Sequence, residues 1–589
     1  MEIPVYSPDE IDAPKLQGEG LYLCRPRLAG TLPVFLTLCA STCLFAFILA
    51  CTAIGQTPSP AGSKRVEVVV IAEDARGKPV TDLGRSDFTI LDDGTQQEIR
   101  DFSLEAGQSP AAEQTPAAKN YFSNRLEQKP GVPSNVTIIL LDALNTNFSD
   151  PDASRREIEY FLSKVKPDDR IAVFGLTDRL VILQDFTSAQ QPLLSDLGSA
   201  PKETETTESD QLLAAGESRE YMSLHQFLTA AGSIAQSYED GIITADDRAI
   251  RTANALIEIA DHVARIPGSK NLIGLCGTLP PAFDLFAAPS TAIASAPATP
   301  QQRYREDVLA AASRVLNDAR LAVYPVQVKE KLQPDMTLKY GVTVVSGITV
   351  PAAPPKTYPA GTRPQFDSKA LDELAQKTGG HSYSGDYVAD FVRDTIDGSR
   401  VAYVLAYYPA PRLWNGEFHD IKVNVDRPGV KLLYRSGYLA IGDAPNAREQ
   451  QVVSDDVIRS PVDSTMLQIG VLLTPDGAAG DRNLNAHIQV DSTGLTLSSE
   501  ADSSTGAVDL TVREWDNRDN LLKNDAERIP ITLTQEQFGA WRKSGLTYDM
   551  KVSVLPRASR IRFIVRDEGS GATGSLTVPV SSVLQSSDE

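Results

Sequence analysis

Val136-Thr137-Ile138-Ile139-Leu140-Leu141-Asp142 is an apolar run closed by a carboxylate, and its reading decides the fold. A run with no polar alternation suits a strand covered on both faces, in the middle of a parallel sheet. Outward from it the period changes. Ser154 and Glu157 have capping-box spacing, and Ile158, Phe161, Leu162 and Val165 make one stripe, which predicts a helix. Strands are expected at 170–176 and 180–184, then a helix over about 246–265 that stops at Pro267-Gly268. A strand at 271–275, a helix at 306–319, a strand at 321–328 and a helix at 368–377 complete the series. Strands alternating with helices build right-handed βαβ units. Residues 135–400 are therefore expected to be an α/β domain with a doubly wound, mostly parallel sheet.

The flanks read differently. In 64–105, Val66-Glu67-Val68-Val69-Val70-Ile71 and Phe88-Thr89-Ile90-Leu91 are strands, the second followed by the tight turn Asp92-Asp93-Gly94. Residues 106–134, rich in Ala, Pro, Gln and Glu, read as an exposed linker. Period-two alternation returns at 401–442, a β extension expected to pack with the α/β domain. Residues 466–580 hold about seven short strand signals separated by turn residues, the count of a β-sandwich-like domain.

Residues 1–55 comprise a cytoplasmic N-terminus and an apolar segment, 28–54, without a charge. It exceeds the roughly 20 residues that cross a bilayer, and Arg25 and Arg27 precede it, which orients that end inward. Three readings stay open: a retained anchor, a signal cleaved near Gln56, or a lipid on Cys51. Each places the rest of the chain at the cell envelope, on the periplasmic or extracellular face. Of the five cysteines only Cys276 lies outside this region, so no intramolecular disulfide is expected in the body. With 56 Lys and Arg against 77 Asp and Glu, the net charge is −21, which repels phosphate backbones and argues against nucleic-acid partners.

Asp142 ends the central strand, where α/β sheets place ligands. In Asp142-Ala143-Leu144-Asn145-Thr146 a carboxylate and a hydroxyl four residues apart are hard oxygen donors that could share Mg²⁺ with water. The alternative is that Asp142 and Asn145 cap backbone donors in a turn.

The segments Val80-Thr81-Asp82-Leu83, Ser86-Asp87-Phe88, Leu141–Thr146 and Ile266-Pro267-Gly268-Ser269-Lys270-Asn271-Leu272 carry a resemblance. It continues through 316–325, Thr378-Gly379-Gly380, Tyr407-Tyr408-Pro409 and Arg435-Ser436-Gly437-Tyr438, and covers roughly 65–440. The chain resembles von Willebrand factor type A domain proteins, in the variant recurring among exported proteins of Acidobacteria. The resemblance implies a metal-ion-dependent adhesion site of pattern D-x-S-x-S. Asp142 and Thr146 match it, Leu144 replaces the first hydroxyl residue, Cys276 stands where an Asp belongs, and Thr252 is the stand-in for the loop Thr. Such a site would hold Mg²⁺ weakly.

The chain has no H-E-x-x-H and no P-loop. His381-Ser382 within Gly380–Gly385 resembles a nucleophile elbow but misses the G-x-S-x-G spacing by one place. His225, His262, His419 and His487 carry no expected chemical role. The expected function is a non-catalytic, membrane-anchored, adhesion-type module for an unidentified protein partner. The alternative is a hydrolase using Ser382 and His381 or the Asp142 loop.

Overall fold

The computed structural model describes residues 65–106, 120–126, 136–146, 158, 160, 169, 171–186, 221–239, 242–266, 268–277, 279–280, 283, 285, 299–327, 342–345, 348–351, 368–384, 388–398, 401–409, 417–440, 447–477, 481–499 and 503–584. The segment 28–54 and nearly all of the helix expected around Ser154–Val165 lie outside them, although Ile158 is helical and buried.

Strands β1 (Val66–Glu73), β2 (Phe88–Asp92), β3 (Thr95–Gln97) and β4 (Asp101–Ala106) come first. β2 and β3 are joined by Asp93-Gly94, with φ of 45° and 78°. Two residues at positive φ make the turn whose twist matches a hairpin. Within the stretch read as linker, Tyr121–Ser123 is instead strand β5. Its length was too short to stand out from the surrounding composition.

The α/β part follows. Strands β6 (Val136–Asp142), β7 (Ile171–Leu176) and β8 (Leu180–Gln184) precede helices α1 (Leu224–Glu239) and α2 (Ala245–Val263). Then come β9 (Lys270–Cys276), α3 (Pro300–Ala319), β10 (Leu321–Gln327), the hairpin β11 (Val342–Val345) and β12 (Ile348–Pro351), α4 (Ser368–Thr378) and α5 (Val388–Gly398). The main sheet has the order β10-β9-β6-β7-β8, parallel except for β8 against β7. Every residue of β6 is buried, because both faces of the sheet are covered. Ile138 and Leu140 share one core with Ala253, Ile257 and Ala260 of α2 and Val308, Ala312 and Val315 of α3. Ile139 and Leu141 face the opposite core, with Phe227 and Leu228 of α1 and Val392 and Ile396 of α5. Helices α1 and α5 were not anticipated from the sequence, although Leu224, Phe227, Leu228 and Ala231 recur at i, i+3, i+4 and i+7. α2 and α3 begin at Thr244 and Thr299 caps whose hydroxyls accept from the third helical N–H.

Strands β13 (Val401–Tyr407), β14 (Phe418–Val425), β15 (Lys431–Tyr434) and β16 (Gly437–Leu439) return to the beginning of the chain. β1 pairs on one side with β13 and on the other with β15, while β14 lies between β16 and β2. The two four-stranded sheets share a core of Val68, Val70, Phe88, Ile90, Tyr403, Leu405, Ile421 and Val423. A β-unit is thus closed by strands more than 300 residues apart in sequence, since two or three strands alone bury too little apolar surface to be stable.

Helix α6 (Ala447–Arg459) leads into β17 (Ile469–Pro475), β18 (Asn483–Val490), β19 (Ser498–Ser499), β20 (Ser503–Trp515), β21 (Leu521–Thr534), helix α7 (Gln535–Ser544), β22 (Leu546–Ser553), β23 (Arg560–Asp567), β24 (Thr573–Pro579) and the short α8 (Ser581–Leu584). These strands form the sheet β22-β18-β17-β5 and a second sheet around β20 and β23, with one apolar core between them. This part is tied to α2: Thr465 donates to the Asp261 and His262 carbonyls, and His262 Nδ1 lies 2.7 Å from the Asp463 carbonyl.

Candidate functional site

Chain order reverses between β6 and β9, which are hydrogen-bonded neighbours in the sheet. Asp142 closes β6 and Cys276 closes β9, so both stand at the carboxyl ends of strands beside the reversal. Asp142 is 3% exposed, and Asn145 folds back over it. The Asn145 backbone N–H donates to Asp142 Oδ1 at 2.9 Å and its side-chain amide to Oδ2 at 2.7 Å. The same amide donates to Thr252 Oγ1 at 2.8 Å. Arg248 donates from Nε and Nη2 to Asn145 Oδ1, at 3.0 and 2.8 Å. The Thr146 hydroxyl accepts the Gly277 N–H at 2.8 Å, which ties the first loop to the loop after β9. At Gly277 a Cβ would stand 2.9 Å from the Asn145 carbonyl oxygen, so this close approach requires glycine.

Burial pushes the Asp142 carboxyl up to about 6, against the lowering effect of the Asn145 hydrogen bonds and the Arg248 charge. Burial, followed by the nearby Asp142 charge, pushes the Cys276 thiol far up, so it stays neutral and is a poor thiolate ligand.

The structure brings Asp142, Thr146, Thr252 and Cys276 to one place. It also adds Arg248, which sequence reasoning missed. The signal was faint: Arg248, Thr252 and Leu256 follow at four-residue steps on α2, which places an arginine on a buried helix face. For Mg²⁺ the donor set does not fit. Both Asp142 oxygens and the Thr146 oxygen already take N–H donors, and a guanidinium adjoins them. A hard dication there would have to share these oxygens with their N–H donors and sit near the Arg248 charge. In this arrangement Asp142 and Thr146 are hydrogen-bond acceptors.

The second sequence candidate does not assemble a nucleophile and base. Ser382 Oγ donates to Asp372, while the His381 ring meets Tyr324 and Phe391 edge-on at centroid distances of 5.4 and 5.1 Å.

No family model matches the chain, and no curated protein matches it. Among solved structures it is similar to an aerotolerance-related membrane protein from Bacteroides fragilis, at 9% identity and TM-score 0.21, over 45% of this chain and 97% of that one. It is also similar to a membrane-spanning protein from Vibrio fischeri, at 12% identity and TM-score 0.10, over 45% of this chain and 96% of that one. A von Willebrand factor type A protein from Catenulispora acidiphila aligns at 10% identity and TM-score 0.19, over 82% of this chain and 74% of that one. Similarity at this level carries no argument about activity, and the case for function stands on the chain's own geometry. Among the described residues no helix is long and apolar enough to cross a membrane.

Proposed function

We propose that this chain is an exported, non-catalytic protein-interaction module of adhesion type, built on a doubly wound, von Willebrand factor A-like domain. The observation that carries the reading is the position of the Asp142 centre beside the reversal of strand order, at the carboxyl ends of β6 and β9. Open α/β sheets present ligands at that place. In this reading the loops around Asp142 and Gly277 form the partner surface, and hydrogen bonds from Asn145 and Arg248 hold its shape without a bound ion. The C-terminal part, a β-sandwich-like domain, acts as spacer, and residues 28–54 supply export and membrane attachment, as expected for the Acidobacterial variant. The partner is a protein, since the charge of −21 disfavours nucleic acid.

Crosslinking on intact cells, followed by mass spectrometry, tests the proposal with wild type, Asp142→Ala and Ser382→Ala. The expected result is a protein crosslink lost in Asp142→Ala, kept in Ser382→Ala, and no turnover on ester or peptide substrates. Hydrolysis by wild type that Ser382→Ala abolishes would establish the hydrolase alternative instead.

A further inference from the structure

A second polar cluster lies in the β-unit, on elements that the proposed partner surface does not use. Asp92 is the last residue of β2, Asp93 is the first residue of the two-residue turn after it, and His419 is the second residue of β14. The antiparallel register of β14 on β2, with Ile421 opposite Asp92, brings His419 to the turn. His419 Nδ1 is 2.8 Å from Asp93 Oδ2 and 3.4 Å from Asp92 Oδ1, and the three ligand atoms lie within 4.8 Å of one another.

Asp92 and Asp93 are each held through the oxygen that faces away from His419. Asp92 Oδ2 accepts from the Tyr407 hydroxyl at 2.8 Å and the Tyr438 hydroxyl at 3.0 Å. Asp92 Oδ1 is buried, faces His419 and accepts no hydrogen bond. Asp93 Oδ1 accepts the Asp420 N–H at 2.9 Å, which leaves Oδ2 on the side of His419. The imidazole stacks on Tyr438 at a centroid distance of 5.4 Å. A buried carboxylate oxygen without a donor is costly unless something positive completes it. The Asp93 side chain is 52% exposed, against 0% for Asp92 and 5% for His419, so the cluster is sealed on one side and reachable from solvent on the other.

We propose that Asp92, Asp93 and His419 form a binding site for a borderline divalent transition ion, with Zn²⁺ the best match. One imidazole and two carboxylates suit such an ion and neutralise its charge, and water from the open side would complete the coordination. Ligand atoms about 2.1 Å from a tetrahedral ion stand roughly 3.4 Å apart. The Asp92–His419 separation already has that value, the Asp93–His419 separation is about half an ångström short of it on the exposed side, and the Asp92–Asp93 pair lies within 4.8 Å. Tyr407 and Tyr438 would orient Asp92 from behind, as second partners of metal-binding carboxylates do. A bound ion would pin the β2–β3 turn to β14.

The test uses the full chain, stripped with a chelator, dialysed and titrated with Zn²⁺ by calorimetry, with Co²⁺ absorption as a second readout. Two variants accompany it. Asp93→Asn keeps an acceptor for the Asp420 N–H, and His419→Gln keeps a polar side chain of similar reach. The expected result is one ion per chain, a rise in melting temperature on Zn²⁺ addition, a ligand-field band with Co²⁺, and affinity reduced about tenfold or more in each variant. A wild type that binds no Zn²⁺, so that the cluster is an imidazole–carboxylate contact only, overturns the proposal. So does binding that both variants retain in full. Neither outcome bears on the partner surface at Asp142.

Discussion

Arg248 directs two N–H groups, at 3.0 and 2.8 Å, onto the single oxygen Oδ1 of Asn145. That pair is the outer half of a relay whose inner half is Asn145 on Asp142. It sets a positive charge close to the buried Asp142 carboxylate.

Removing that charge should be expensive. Arg248→Met leaves the buried Asn145 carbonyl oxygen without its two charged donors and Asp142 without its nearby cation. The expected cost is about 2–4 kcal/mol, read as a lowered urea midpoint at unchanged slope. A loss below about 0.5 kcal/mol would show that the relay contributes nothing to stability.

Mg²⁺ at millimolar concentration should raise the melting temperature little, because stabilisation stays small unless the ion exceeds its Kd. Leu144→Ser with Cys276→Asp restores oxygen donors. The stabilising response to Mg²⁺ should become substantial only when Arg248→Ala is added to that pair. A micromolar response in wild type that survives Asp142→Ala would place the ion elsewhere.

Two carboxyls with raised values, the buried Asp142 and the partly buried Glu258, make stability depend on pH in a direction opposite to the usual acid denaturation. Burial raises Asp142 to about 6 and Glu258 to about 7, the latter against a Ser460 hydrogen bond and the Arg562 charge. The folded state therefore holds these protons more tightly than the unfolded chain. Their contribution is full below the unfolded values near 4 and declines as pH rises to about 6 and 7, by roughly 3 kcal/mol for each. Subtracting the pH profile of Asp142→Asn or Glu258→Gln from that of wild type should isolate the decline. A flat difference between pH 4 and 7 would refute the shift.

A chain that starts at Ser134 should melt well below one that starts at Lys64. It lacks β1, which lies between β13 and β15, and β2, which pairs with β14. It also loses β5 from the C-terminal sheet. Equal melting temperatures would mean that these pairings contribute no stability.

Export is checked at residues outside the described part of the chain. Leu36→Arg with Leu44→Arg puts charges near the middle of 28–54, each costing about 2.5–3.5 kcal/mol on insertion scales. The double variant should stay in the cytoplasm, as read by cell fractionation. Its arrival at the envelope would remove that segment from the export reading.

The sequence by itself determined the elements whose signal is local. The run 136–142 states a strand buried on both faces, and Asp92-Asp93-Gly94 states a tight turn. The caps Thr244 and Thr299 are just as local, yet apolar periodicity alone starts those helices late, at about 246 and 306. It also placed Asp142, Thr146 and Cys276 at strand ends, since alternation of strand and helix sets which end of each strand carries the loops. Only the tertiary structure decided what those residues do. Arg248 reaches Asn145 across 103 residues, and His419 reaches Asp93 through the register of β14 on β2. Periodicity records which face of an element is apolar. It carries no information on which distant element covers that face, or at what register, because those are settled by packing and by the satisfaction of buried polar groups once the chain has closed. The same limit explains why Tyr121–Ser123 looked like linker: a three-residue strand has no period of its own and exists because Gly470–Leu472 offers it an edge.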